Sequence, residues 1–145
     1  MTTATDHNRR RWSRPAAVRA YHGREGLFRA EEVILGMLGE EFRNRKILDV
    51  GVGAGRTTPH LLQISDQYVG IDYSSAMIES CKSRYPAVDF RVCDAKNLSE
   101  FLNDSFDLIV FSYNGIDCMP HEDRLIIVRD PSCLFRRRCF CVFCT

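Results

Sequence analysis

The sequence predicts an α/β fold in which a parallel β-sheet carries helices on both faces. Short apolar runs typical of buried strands alternate four times with helical patterns along the chain, and this order builds such a sheet. The first apolar run ends in a glycine-rich turn, and the length of 145 residues suits one ordinary domain. A composition of 45% hydrophobic and 27% charged residues is typical of a globular protein with a single core.

The first helix and the first two strands are predicted from the spacing of apolar residues. Five apolar residues recur at helical spacing and share one face: Leu27, Ile34, Leu35, Leu38 and Phe42. Residues 46–50 then form a short apolar run that ends at the glycines and indicates a buried strand. A second helix is predicted over residues 56–64 and a second strand over residues 68–72 (YVGID).

The second half of the predicted sheet repeats the same alternation. Ser74 or Ser75 suits the N-cap of a third helix. The remaining predicted elements are the end of that helix at Pro86, strands over residues 88–92 and 106–111 (FDLIVF), and a helical pattern over residues 121–129. The run FDLIVF is apolar enough to be buried on both faces, as the central strands of a parallel sheet are.

The charge balance gives no global electrostatic argument for nucleic acid or an anionic membrane as a partner. Twenty Lys and Arg stand against 19 Asp and Glu, for a formal net charge of +1. No apolar run approaches the roughly 18–20 residues that cross a bilayer. We expect residues 1–26 to be a flexible basic segment, in which the arginines around Trp12 favour a solvated arm over a nucleic-acid contact.

The start of the chain and its cysteines predict a cytoplasmic location. The polar first residues lack the apolar core of a secretory signal. Seven Cys is an odd number, which argues against a fully paired secreted framework. Cys81, Cys93 and Cys118 are scattered through the body of the chain, as small core residues of a protein in a reducing compartment are.

The turn after the first predicted strand carries the strongest functional signal. Gly51, Gly53 and Gly55 remove side chains where the strand turns into a helix, so a ligand can approach the backbone closely. Asp49 lies two residues before the first of these glycines, and Asp72 ends the next strand. A carboxylate at that second position offers two acceptors to the two neighbouring hydroxyls of a ribose.

Four motifs together resemble the class I S-adenosylmethionine-dependent methyltransferases. They are ILDVGVGAGR, GIDYSSAMIE, RVCDAKNL and FDLIVFSYNGIDCM, and they lie between residues 46 and 129 in the order and spacing of that family. The resemblance implies a Rossmann-like sheet, S-adenosyl-L-methionine as the cofactor, and methyl transfer as the reaction. It leaves the acceptor unidentified, with a small molecule slightly favoured over a protein or a nucleic acid.

The resemblance also implies which residues contact the amino-acid and ribose parts of the cofactor. The turn of Gly51, Gly53 and Gly55 would lie against the amino-acid part. Asp49 would reach the cofactor ammonium directly or through a water molecule. Asp72 would hold the ribose.

The adenine and the acceptor side are implied in the same way. Tyr73 and Met77 would flank the adenine, and Asp94 with the backbone N–H of Ala95 would address its amino group and ring nitrogen. Three residues follow the fourth strand, where the family's cofactor meets its acceptor: Ser112, Tyr113 and Asn114.

Plainer alternatives stay open for these residues. They are a helix-capping role for Asp49, turn roles for Asp72 and Asp94, and core positions for Tyr73 and Met77. A nicotinamide or flavin site is disfavoured, since it would use Gly-x-Gly-x-x-Gly and place a pyrophosphate where Asp49 would repel it. No catalytic residue is assigned: Tyr113 and His121 invite a role as base, but displacement on a sulfonium can be driven by positioning alone.

Residues 131–145 depart from the family's pattern. The family continues with a glycine turn, a fifth apolar strand and two further strands. This chain instead has three consecutive arginines and four cysteines at positions 133, 139, 141 and 144. Their spacing, without a histidine, fits a zinc site poorly, and we predict no metal site.

We hypothesise that a one-base change near codon 130 produced this Cys- and Arg-rich tail. The genetic code permits codons for residues 137–142 that, read one base later, encode Gly-Gly-Val-Phe-Val. Codons for residues 130–133 can in the same way encode Ile-Arg-Arg-Val one base later. Both restored segments resemble the family's sequence at this place. Sequencing the nucleic acid tests the hypothesis: codons that permit no Gly-Gly in the shifted frame contradict it.

The expected domain is therefore incomplete. We expect residues 27–130 to be a methyltransferase-like cofactor-binding domain that lacks the C-terminal half of its sheet. The fourth strand would leave an apolar edge exposed, and stability would be marginal. Beside methyl transfer, a truncated non-catalytic remnant or interaction module stays open. A nucleic-acid-binding arginine arm is a third possibility, whose affinity should fall steeply with salt and survive Asp72→Ala.

Overall fold

The computed structural model describes residues 7, 10–101, 106–111, 121–122 and 135–143. Its main helices are α1 (Pro15–His22), α2 (Arg29–Glu41), α3 (Thr58–Ile64) and α4 (Ser75–Arg84). Its strands are β1 (Ile47–Val50), β2 (Tyr68–Asp72), β3 (Asp89–Val92), β4 (Phe106–Phe111) and β5 (Phe135–Phe143). In this part of the chain, none of the helices combines the length and the apolar character that crossing a membrane requires.

The five strands form one parallel sheet in the order β3-β2-β1-β4-β5. The strand β1 lies in the middle, and its last residue, Val50, is in register with Ile71 of β2 and Phe111 of β4. On the far side of β2, Asp72 is in register with Val92 of β3. The carboxyl ends of these strands therefore lie level, and the turns that follow them begin at one edge of the sheet.

Buried side chains pack against both faces of the sheet. Among the described residues, α2, α3 and α4 pack on one face, and residues 93–101 pack on the other. One cluster of buried residues includes Ile47, Leu61, Ile78, Leu108 and Val110. A second includes Leu48, Val50, Ile71, Ile109 and Phe111. Neighbouring residues of β1 and of β4 belong to different clusters because successive side chains of a strand point to opposite faces. All four residues of β1 are buried, which is typical of the central strand of a two-sided sheet.

The predicted strands and helices are confirmed within a few residues. The strands expected over 46–50, 68–72, 88–92 and 106–111 are β1 to β4. Of the apolar helix face, Leu35 and Phe42 are buried, and Leu27, Ile34 and Leu38 pack against them. Residues 121 and 122 are helical and exposed, and the rest of the helical pattern over 121–129 lies outside the described residues.

Residues 15–22 of the segment that we expect to be flexible form the helix α1. Pro15 is the first residue of this helix, a position that proline favours. Hydrogen-bond contacts join the segment to α4 and its cap: Ser13 Oγ lies 3.1 Å from Ser74 Oγ, and His22 Nδ1 lies 2.6 Å from Ser80 Oγ. None of the residues of α1 is fully buried, and Ala17, Val18 and Tyr21 are half-buried.

The expectation of an exposed apolar edge on β4 is wrong, because β5 pairs with that edge. The strand β5 pairs parallel with β4 from Leu108↔Phe140 to Phe111↔Phe143, with an irregularity nearer the start of β4. The tail supplies Phe, Cys and Val at these positions, and phenylalanine and valine are common in strands. The unpaired N–H and C=O groups of β4 are satisfied by this segment despite its arginines.

Gly70 in β2 is required by close packing with β3. A Cβ added there would lie 2.7 and 2.8 Å from ring atoms of Phe90 and 3.1 Å from the Tyr68 hydroxyl. Because both rings are buried, we expect Gly70→Ala to lower the free energy of unfolding by about 1–3 kcal/mol, measured by urea denaturation. Gly23→Ala is the control, since a Cβ at Gly23 meets nothing within 4 Å. Equal stability of the two variants would contradict this.

Candidate functional site

Backbone hydrogen bonds at the carboxyl edge of the sheet join the turns that follow β1 and β3 to the end of β2. The N–H groups of Gly51 and Val52 both donate to the carbonyl of Ile71, at 2.9 and 3.0 Å. The N–H of Cys93 donates to the carbonyl of Asp72 at 3.0 Å. The structure thus brings together three of the four segments that the sequence assigns to one site.

The three glycines of the first turn adopt conformations that only glycine takes readily. Their φ angles are +70° at Gly51, +56° at Gly53 and +83° at Gly55. They differ in surroundings, however. Within the part of the chain that the structure describes, a Cβ at Gly53 would meet nothing within 4 Å, whereas one at Gly55 would lie 3.2–3.4 Å from atoms of Tyr85, Thr58 and Cys81. The open space at Gly53 is therefore where a ligand can approach the turn, and Gly55 serves internal packing.

Asp72 links the second turn to the first. One of its carboxylate oxygens, Oδ2, accepts the N–H of Gly53 at 3.0 Å, and Oδ1 accepts the N–H of Ser74 at 2.9 Å. Burial raises the pKa of Asp72 above its ordinary value, although both backbone hydrogen bonds act to lower it. Each oxygen of an ionised carboxylate can accept more than one hydrogen bond, so Asp72 can organise the turn and still bind hydroxyl donors.

Asp49 is fully buried beneath the glycine turn. Its Oδ2 accepts the hydroxyls of Thr57 at 2.8 Å and Tyr68 at 2.9 Å, and Thr58 Oγ1 lies 3.0 Å from the Tyr68 hydroxyl. The other oxygen, Oδ1, is buried and has no hydrogen-bond partner among the described residues. A buried acceptor of this kind is costly, and Oδ1 is the atom that an ammonium or a water molecule would satisfy. Sequence analysis missed Tyr68, although a tyrosine in an apolar strand indicates a buried hydroxyl that needs a partner.

The burial of Asp49 gives protein stability an unusual pH dependence. Burial raises its pKa from 3.8 to about 6, against the lowering effect of the hydroxyls of Thr57 and Tyr68. Below pH 4 the Asp49 carboxyl is protonated in both the folded and the unfolded protein. Between about pH 4 and pH 6 only the unfolded chain gives up this proton, so unfolding becomes more favourable by about 3 kcal/mol.

We expect Asp49→Asn to remove this part of the pH dependence. Urea denaturation at several values from pH 4 to pH 7.5 measures it, as the difference in unfolding free energy between wild type and variant. The wild type should lose stability relative to Asp49→Asn as the pH rises through this window. A constant difference would contradict the raised pKa.

The residues assigned to the adenine lie near the same edge. Ser74 caps α4 by accepting the N–H of Met77, and Met77 is buried, as both an adenine wall and a core position require. Asp94 is half-buried, its Oδ1 accepts the N–H of Lys96 at 3.0 Å, and Ala95 is buried beside it. Tyr73 is half-buried in the turn after β2. The remaining three assigned residues lie outside the described residues: Ser112, Tyr113 and Asn114.

Two side chains of α4 support the glycine turn, and sequence analysis assigned neither. The thiol of Cys81 donates to the carbonyl of Gly53 at 3.0 Å, and Nη1 of Arg84 donates to the carbonyl of Ala54 at 2.8 Å. Burial raises the pKa of Cys81 to about 12, so the thiol keeps its proton at neutral pH. No motif marks these residues, because their partners are backbone atoms distant in sequence.

A depression lies at the opposite edge of the sheet, and none of the residues assigned to the cofactor lines it. Its volume is about 410 Å³, and its lining includes Lys46, Arg91, Phe101 and Phe106. The carboxyl edge differs from it in chemistry, with two buried carboxylates and a turn left open at Gly53. That arrangement fits a cation that carries hydroxyl and ammonium donors, as S-adenosylmethionine does.

Comparison with known proteins finds methyltransferases. The family model described as "Methyltransferase domain" matches residues 47–131, which include all four motifs. A protein of Invertebrate iridescent virus 6 that is named as a methyltransferase is 33% identical over 79 residues, 53% of this chain and 28% of that protein. An uncharacterized methyltransferase of Alkaliphilus oremlandii is 32% identical over 90 residues, 60% of this chain and 41% of that protein.

Solved structures show the same fold. The magnesium protoporphyrin IX methyltransferase of Synechocystis, solved with bound S-adenosylmethionine, superposes with a TM-score of 0.70 at 13% identity, over 88% of this chain and 70% of that one. The matches to the two sequence relatives span less than half of those proteins, 28% and 41%. Because the family model covers more than half of the sequence, the chain belongs to the class I S-adenosylmethionine-dependent methyltransferase family.

Proposed function

We propose that the chain binds S-adenosylmethionine at the carboxyl edge of its sheet and takes part in methyl transfer to a small-molecule acceptor. The observation that carries this is the hydrogen bond between the Gly53 N–H and Asp72 Oδ2, at 3.0 Å. It joins a glycine turn with an open side to a buried carboxylate on the neighbouring strand. This geometry suits the amino-acid part and the ribose of one ligand.

Each assigned residue has a task in this proposal. Asp72 accepts hydrogen bonds from the ribose hydroxyls, and Asp49 Oδ1 accepts one from the ammonium or from a water molecule beside it. Gly53 leaves room for the amino-acid part. When bound, the cofactor supplies a methyl group on a sulfonium, which an acceptor can attack directly once the protein positions both.

The adenine and acceptor contacts are proposed from the family resemblance. Tyr73 and Met77 flank the adenine, and Asp94 with the Ala95 N–H forms hydrogen bonds to its edge. The acceptor side would include three residues after β4: Ser112, Tyr113 and Asn114. The Synechocystis relative is named for a small-molecule substrate, which supports an acceptor of that class here.

We further propose that residues 27–130 are the cofactor-binding domain and that the protein works in the cytoplasm. The two buried thiols of Cys81 and Cys93 are free, as they would be in a reducing compartment. A second candidate function is a non-catalytic binding module. The site itself favours this candidate, since its described residues offer acceptors for a bound ligand and none of them is assigned a catalytic role.

Calorimetric titration of the purified protein tests cofactor binding. We expect saturable binding of S-adenosylmethionine and S-adenosylhomocysteine, and none of NADH. Formation of S-adenosylhomocysteine with a panel of small amines and phenols would then separate an enzyme from a binding module. Failure of the folded protein to bind either ligand would refute the proposal, and the family membership would describe ancestry alone.

A further inference from the structure

The guanidinium of Arg56 connects the glycine turn to residues 26–31 by hydrogen bonds. Arg56 directly follows Gly55, and its Nη1 and Nη2 donate to the two carboxylate oxygens of Glu31 at 2.7 and 2.6 Å. Nη1 also donates to the carbonyl of Gly26 at 3.0 Å. The guanidinium carbon lies 5.2 Å from the centre of the Phe28 ring. One side chain thus contacts two residues before α2, Gly26 and Phe28, and one in its first turn, Glu31.

The helix α2 holds Glu31 in place for this contact. Glu31 is the third residue of α2, and its Oε2 also accepts the N–H of Phe28 at 2.9 Å, an N-terminal capping interaction. Burial raises the pKa of Glu31, but the hydrogen bonds from Arg56 and Phe28 and the charge of Arg56 outweigh it and leave the pKa below its ordinary value. Glu31 is therefore ionised at neutral pH, and the pair is ionic.

Stability alone is a poor explanation for this ion pair, because the pair is buried. The side chains of Arg56 and Glu31 are 11% and 3% exposed. Removing two charges from water costs about as much as their attraction returns, and apolar residues of similar size often stabilise a fold equally well. A bidentate guanidinium–carboxylate pair does add a fixed orientation, and the chain segment that it orients is the glycine turn.

A second arginine connects the same two parts of the chain. Nη1 of Arg84 donates to the carbonyl of Ala54 in the turn, and Nη2 donates to Oε1 of Glu25 at 3.1 Å. Arg56 and Arg84 therefore both bridge the turn and residues 25–31. The turn therefore contacts Asp72 at the proposed ligand site. Through the two arginines it also contacts residues 25–31.

We propose that Arg56 and Glu31 are positioning residues that hold the glycine turn in its cofactor-binding conformation, so that residues 25–31 form part of the site's support. The role of the pair in cofactor binding rests on the proposed function. Its role in holding the conformation of the glycine turn does not. Because the same contacts hold both parts, cofactor binding and the docking of residues 25–31 are coupled, each favouring the other.

Two variants of the full chain test the inference. Glu31→Gln keeps the size of the side chain and removes its charge, and Arg56→Lys keeps the charge and removes the bidentate geometry. Hydrogen exchange of the Gly53 and Gly55 amides, both hydrogen-bonded in the wild type, reports opening of the turn without any ligand. We expect both amides to exchange about tenfold faster, while amides of β1 and β4 keep their rates.

Calorimetry with S-adenosylhomocysteine gives the second measurement. We expect both variants to raise the dissociation constant about three- to thirtyfold under conditions where they are fully folded. Glu40→Gln is the matched control. Glu40 lies on the same helix as Glu31, and it pairs with Arg43, which follows the end of that helix. The side chains of Glu40 and Arg43 are 84% and 57% exposed. The control variant should change neither measurement.

The outcomes separate this inference from the proposed function. Unchanged exchange at Gly53 and Gly55 in the folded variants would overturn it, whatever the ligand does. Faster exchange with an unchanged dissociation constant would overturn the role in cofactor binding. A wild type that binds no S-adenosylhomocysteine would refute the proposed function, while the exchange rates would still decide whether the pair holds the turn.

Discussion

Replacing Asp72 with alanine is expected to weaken S-adenosylmethionine binding by at least about 100-fold. The variant loses the carboxylate that would accept both ribose hydroxyls, and hydrogen bonds to a charged group are worth about 1.5–3 kcal/mol each. It also loses the acceptor for the Gly53 N–H, so the turn against which the amino-acid part would lie becomes less ordered. Calorimetric titration of variant and wild type measures the change.

Two controls make the Asp72→Ala result specific. Asp66→Ala removes an exposed aspartate beside the start of β2, at the opposite edge of the sheet, and should leave the affinity unchanged. Urea denaturation of Asp72→Ala should still show a cooperative transition, because the core clusters on both faces of the sheet are intact. Wild-type affinity in a folded Asp72→Ala protein would rule out the ribose role.

Gly55→Ala and Gly53→Ala are expected to damage the protein in different ways. At Gly55 an added Cβ meets Tyr85, Thr58 and Cys81 within 3.4 Å at a φ of +83°. Crowding and backbone strain together should lower the free energy of unfolding by about 2–5 kcal/mol. At Gly53 the φ of +56° carries strain of about 1–2 kcal/mol, but the space around the Cβ is open.

The Gly53→Ala variant should therefore fold and lose ligand binding, because its methyl group enters the space proposed for the amino-acid part. Urea denaturation and titration with S-adenosylhomocysteine measure the two effects on each variant. Two results would contradict the assignment of different roles: Gly53→Ala as unstable as Gly55→Ala, or Gly53→Ala with wild-type affinity.

Local patterns in the sequence predict most of the sheet and the place of the site. The apolar runs of β1 and β4 mark strands because both faces of those strands are buried, and Ser74 caps α4 through an interaction that spans three residues. The glycine turn is similarly local. Such features depend on residues close together in the chain, so they can be predicted without the fold.

The features that sequence analysis missed depend on residues far apart in the chain. The hydroxyl of Tyr68 reaches Asp49, and Arg56 reaches Glu31, only after β1, β2 and α2 have packed. The helix α1 contacts α4 through His22 and Ser80, which lie 58 residues apart in the chain. The pairing of β5 with β4 likewise joins residues far apart in the chain, such as Leu108 and Phe140.

The order of strands in the sheet has a consequence for how the chain folds. Every pairing is parallel, so each requires a connection that crosses over the sheet, and β1 meets β4 across about 60 residues of intervening chain. During synthesis β1 can pair with β2 early, but its second edge stays open until β4 has left the ribosome. We therefore expect slow folding with an early intermediate built on β1, β2 and β3, in which the glycine turn already lies beside Asp72 before the far half of the sheet exists.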